Sequence, residues 1–133
     1  MKTEILGRII NSEKEVKSLD LYNEFGRGQS LRGFQRSLAD EVKVANLKML
    51  ENIIRGNIHK DNAFWIIGSK SGGYYISRDK KSAIEGLMGY ISTLTTEAAY
   101  LRKFTKFIEL VHNQHYQELL DFREEAPKTD LFI

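Results

Sequence analysis

The chain has 133 residues, of which 41% are hydrophobic and 29% charged, and a formal net charge of +2. That is one domain's worth of sequence, with enough apolar content to close a core, so a disordered chain is excluded. No window approaches the roughly 18 apolar residues a membrane helix needs, and residues 1–15 lack the apolar stretch and cleavage site of a signal peptide. The absence of cysteine excludes disulfides, thiolate catalysis and cysteine-ligated zinc. A cytoplasmic protein is expected, with no membrane partner.

The charge is unevenly placed. Residues 27–81 hold eleven basic side chains against five acidic ones, a local +6, and the remainder sums to −4. This asymmetry is the electrostatic footprint of a module that binds a polyanion beside a neutral or acidic remainder.

Ser12-Glu13-Lys14-Glu15 has the form of a capping box. It predicts a helix carrying Val16, Leu19, Tyr22 and Phe25 on one face and ending at Gly26-Arg27-Gly28. Ser30 is the expected cap of a second helix, Leu31–Ala39, with Leu31, Phe34 and Leu38 inward. Asp40–Lys43 reads as a polar break. A third helix follows over Val44–Arg55, with Leu47, Leu50, Ile53 and Ile54 buried and Gly56-Asn57 as its stop. The period then changes. Ala63–Ile67 and Tyr74–Ile76 are rich in aromatic and β-branched residues, and Ser69–Gly73 between them is a turn, so a β-hairpin with a basic tip is expected.

Three short helices before a hairpin is the order of a winged helix-turn-helix. In that arrangement Leu31–Ala39 is the positioning helix and Val44–Arg55 the recognition helix, which needs an outward face of hydrogen-bond donors. Lys43, Asn46, Lys48, Asn52 and Arg55 fill that face, with Asn46 and Lys43 as candidates for base contacts. Arg32 and Arg36 are placed to hold phosphates, and Lys70 at the wing tip to reach an adjacent groove. Trp65 and the tyrosines are expected to pack the wing onto the helices.

The run from Ile66 to Ser77, IIGSKSGGYYIS, resembles the wing of small phage and prophage winged-helix proteins, whose wings read I-x-S-x-x-x-G-Y-x-(I/L) before a helix. The resemblance covers about residues 30–92 and implies DNA binding in replication or regulation. One departure stands out. That family usually has an arginine near the start of the recognition helix, where this chain has Val44-Ala45-Asn46.

From Lys80 the helical period returns. Ile84, Leu87, Ile91, Leu94, Ala98 and Leu101 follow at alternating spacings of three and four, the seam of a helix that packs on another helix. Continuous to Phe122 it would be about 64 Å long at 1.5 Å per residue, so it either bends back, with Thr93, Thr95 and Thr96 as the weak point, or packs on a second copy. A homodimer reading two half-sites is expected. His112 and His115 stand one turn apart with Glu109 and Glu118 near, but no further ligand is evident, and two solvated histidines are expected rather than a zinc site.

The tail Thr129–Ile133 ends in apolar residues after Pro127, which are expected to pack onto the domain; its Asp-Leu-Phe is also similar to terminal peptides that dock on the replication sliding clamp, which normally begin with glutamine where this chain has Lys128. No P-loop, nucleophile elbow, His-Glu-x-x-His or two-metal acidic cluster is present, so no enzymatic activity and no cofactor are expected. The sequence thus reads as a mainly α protein with a small β-hairpin. A winged helix-turn-helix domain spans residues 1–79, a helical dimerisation region 80–122 and a flexible tail 123–133. The expected function is binding double-stranded DNA as a phage-type regulator or replication accessory. The alternative is a protein-interaction module that uses the C-terminal helix or Leu131 and Phe132.

Overall fold

The computed structural model describes residues 2–69, 71–91 and 98–113. The protein is mainly helical, with a small antiparallel sheet of three strands. In chain order the elements are α1 (Lys2–Ile10), β1 (Val16–Lys17), α2 (Ser18–Phe25), α3 (Leu31–Ile54), β2 (Trp65–Gly68), β3 (Gly73–Ser77), α4 (Lys80–Ile91) and α5 (Ala98–His112), with one 3-10 turn at Lys60–Asn62.

The capping box expected at Ser12 does not form. The Ser12 hydroxyl instead donates to the Lys14 carbonyl at 2.8 Å, and the chain stays extended through Val16 and Lys17. These two residues pair antiparallel with Tyr74 and Gly73. A backbone ladder to a strand far along the chain has displaced a local helix start, so α2 begins five residues late. α1 was not anticipated.

The second correction concerns α3. The break expected at Asp40–Lys43 is absent, and the positioning and recognition helices of the sequence reading are one helix of 24 residues. Nothing at those positions stops a helix: they hold no glycine or proline, and Val42 continues the buried series Phe34, Leu38, Val42 and Asn46 at every fourth residue. Both ends fall where the sequence put them. Ser30 Oγ accepts from the Gly33 N–H at 3.1 Å, and past the end Gly56 adopts φ +77°.

The hairpin is as expected. β2 pairs with β3 in the register Ile66↔Ile76 and Ile67↔Tyr75, and β1 adds on the far side, giving the order β1-β3-β2. Gly72 at the tip takes φ +86°, a region other residues enter at a cost.

Alternation along β2 divides the core. Ile66 packs with Ile5, Ile9, Val16, Leu21, Phe34, Leu38 and Val42, the layer made by α1, α2 and the first half of α3. Trp65 and Ile67 pack the other way, with Met49, Leu50, Ala83, Leu87, Tyr100, Phe104, Phe107 and Ile108. Trp65 is 1% exposed and stacks on Phe104 with ring centroids 4.8 Å apart, so its expected packing role holds. The same contact ties α5 to the hairpin across the 79/80 boundary. α4 and α5 pack on each other and on the sheet, rather than running on as one rod.

Candidate nucleic-acid interface

α2, the turn Gly26–Ser30 and α3 form a tied corner. Tyr22 donates its hydroxyl to the Gln29 carbonyl at 2.7 Å and meets the Phe34 ring edge-on at 5.6 Å. Gln35 Nε2 donates to Ser18 Oγ at 3.2 Å, linking the two helices. The first half of α3 is thereby fixed against the core with its outer face in solvent.

Arg32 and Arg36 are exposed on that outer face, and Arg27 is exposed in the turn before it. Among the described residues none of the three makes an ion pair. At about 100° per residue Arg32, Arg36 and Lys43 fall within about 40° of one another around the helix. Lys43 is only half exposed, its ammonium 5.6 Å from the Tyr100 ring centre.

The remaining candidates separate from this group. By the same geometry Lys48 and Arg55 lie about 120–140° round the helix from Lys43, and Arg55 is bound to Glu51 at 2.6 Å. Asn52 is half-buried. Lys70, Leu131 and Phe132 lie outside the described residues.

Asn46 is the clearest departure from the sequence reading. It is 0% exposed and cannot present its amide to a base. Its Oδ1 accepts from the Ile66 N–H at 2.8 Å, and its Nδ2 donates both to the Ile66 carbonyl at 2.9 Å and to the Tyr100 hydroxyl at 2.7 Å. β2 is an edge strand, and Ile66 faces that edge with both backbone groups. The Asn46 carboxamide pairs with them as a neighbouring strand would, and so joins α3, β2 and α5. The signal for this was its place four residues after Val42 on the apolar side.

The hairpin tip is ordered by a polar network. Ser71 Oγ donates to the Glu15 carboxylate at 3.1 Å and accepts from Lys17 Nζ at 2.9 Å, and Gly73 N–H donates to Ser69 Oγ at 3.1 Å. Lys17, which bridges to Glu15 at 2.5 Å, and the serine hydroxyls hold the Glu15 carboxyl below its ordinary pKa. The sequence reading made the tip a basic turn and missed its anchoring to residues 15 and 17.

His112 is half-buried rather than solvated: its ring meets Phe107 edge-on at 5.9 Å and its Nε2 is buried without a hydrogen-bond partner. Burial lowers its pKa, against an opposing pull from Asp79. His115 lies outside the described residues. Among the described residues no group of three potential ligands could hold a metal, and no helix is long and apolar enough to cross a membrane. Comparison with protein-family models, curated proteins and solved structures finds no match.

Proposed function

We propose that the protein binds double-stranded DNA through the first half of α3, as a winged helix-turn-helix whose parts sit one helix earlier than the sequence suggested. α2 is then the positioning helix, the start of α3 the recognition helix and the β2–β3 tip the wing. The element order helix, strand, helix, helix, strand, strand with sheet order β1-β3-β2 supports this assignment. The observation that carries it is the exposure of Arg32 and Arg36 one turn apart on the outer face of α3, next to Arg27.

Arginines on such a face supply phosphate contacts, and two of them one turn apart can follow the edge of a groove. The shifted assignment also accounts for the missing arginine at Val44: the helix start that enters the groove is Leu31-Arg32. A phage or mobile-element setting, as regulator or replication accessory, is what the resemblance of the wing suggests.

Fluorescence anisotropy on a random-sequence duplex at two salt concentrations tests the reading. Binding should weaken steeply with salt as counterions are recaptured, and Arg32→Ala/Arg36→Ala should lower the logarithmic salt slope by about 2. An unchanged slope in the double variant, or no binding by the parent at low salt, refutes it. Lys103→Ala, exposed on α5, serves as the control expected to change little.

A further inference from the structure

The second half of α3 carries an unusual surface. Val44, Leu47 and Ile54 are 47%, 39% and 60% exposed. With Asp40 and Glu51 they form the series 40, 44, 47, 51, 54, spaced alternately four and three, which is the a/d pattern of a helix that pairs with another helix. The stripe lies on the face of α3 turned away from its own core, and basic residues flank it: Lys48 and Arg55 on one side, Arg36 on the other.

The geometry points to a second copy of this chain as the partner, docked α3 against α3 in antiparallel fashion about a two-fold axis between residues 47 and 48. This inference rests on the proposed DNA-binding reading for its purpose, though not for its contacts. Reversed about that axis, this face sets acid against base at both ends. With the axis there, Asp40 comes level at both ends with the Arg55 of the second copy that also holds its own Glu51, and the two Leu47 side chains meet at the centre. Val44 comes level with the methylenes of Glu51. An isologous pairing of this kind is closed, so it yields a dimer and not a filament.

The same register has a consequence for the Arg32–Arg36 face. The two Arg36 positions stand about 35 Å apart along the pair at 1.5 Å per residue. Successive major grooves on one side of B-form DNA repeat at about 34–36 Å. The two-fold keeps both arginine stripes on one side of the pair, about 60° round from the seam at 100° per residue. A recognition helix of ordinary length would not reach. The continuation of α3 through residues 40–54 is what gives the spacing.

The chain has no cysteine, so single cysteines report the register directly. Leu47→Cys in the full chain should form a disulfide-linked dimer under mild oxidation, since residue 47 lies about 20° from the seam centre and next to its mate across the axis. Ser37→Cys, about 30 Å from its mate by the same 1.5 Å rise, should not. Sedimentation velocity without DNA should give twice the chain mass. Leu47→Glu should shift the equilibrium toward monomer by at least tenfold in Kd, with a melting temperature equal to the parent's at concentrations where both are monomers. Asp40→Arg should weaken the dimer, and Asp40→Arg/Arg55→Asp should restore it. A monomer at all soluble concentrations, equal cross-linking at 37 and 47, or a dimer indifferent to Leu47→Glu would overturn the inference. Because masses are read without DNA, a parent that dimerises yet fails to bind duplex would refute the DNA reading alone, and a monomer that binds duplex would refute the dimer alone.

Discussion

Replacing Asn46 by alanine should be among the most damaging single changes to this fold, although the residue is polar and lies in mid-helix. The substitution deletes three hydrogen bonds and leaves the Ile66 N–H, the Ile66 carbonyl and the Tyr100 hydroxyl without their partner in a site where Asn46 is 0% exposed. A buried group left unpaired costs about 1–3 kcal/mol. If Tyr100 recovers a partner by rotating its hydroxyl, the two backbone groups alone give about 2–6 kcal/mol. A domain of this size has about 5–15 kcal/mol in total. Each kcal/mol moves the melting temperature by about 3–5 °C at this length, so the expected drop is about 6 °C at the least. Urea unfolding followed by far-ultraviolet circular dichroism measures it, with an unchanged m-value confirming the same surface exposed on unfolding. Asn46→Asp should also destabilise, since it keeps the acceptor for the Ile66 N–H but sets a second oxygen against the Ile66 carbonyl. A loss below about 1 kcal/mol for Asn46→Ala would be the signature of an exposed residue and would refute the latch between α3, β2 and α5.

Two further predictions follow from the same packing. Gly86 and Gly89 stand one turn apart in α4, yet Gly86→Ala should destabilise and Gly89→Ala should stabilise. A methyl at 86 overlaps the buried Ile67 side chain, whereas one at 89 meets nothing within 4 Å. Overpacking costs about 1–3 kcal/mol against a helix-propensity gain of about 1 kcal/mol that both variants share, and paired thermal melts read the difference. His112 should make the fold acid-sensitive. Its folded pKa lies below the ordinary histidine value because burial disfavours the charged ring, which sits near both Asp79 and Lys80. Its contribution is therefore complete above the unfolded pKa of about 6.5 and is lost as pH falls through the folded value. The melting temperature should fall between pH 7.5 and 5.5, and His112→Phe should flatten that fall. An equal fall in the variant would assign it to other groups.

The sequence alone determined what short-range chemistry controls. The Ser30 cap, the Gly56 stop and the β2–β3 hairpin could all be read because each is set by residues within a few positions of one another. What failed depended on distant partners. Ser12 has the form of a helix cap, but Val16 and Lys17 are taken into a ladder by Tyr74 and Gly73, more than fifty positions later. Asp40–Lys43 looked like a break because its residues are polar, while Val42 keeps α3 whole by packing against Ile66 and its neighbours. Asn46 looked like an outward donor because asparagine often is one, and only tertiary structure decided otherwise, by bringing Ile66 and Tyr100 to it from 20 and 54 positions away. Local propensity is worth a few tenths of a kcal/mol per residue, whereas a satisfied buried amide and a continuous apolar face are worth several. Where the two disagreed in this chain, the long-range term set the structure, and with it which residues of α3 stay buried.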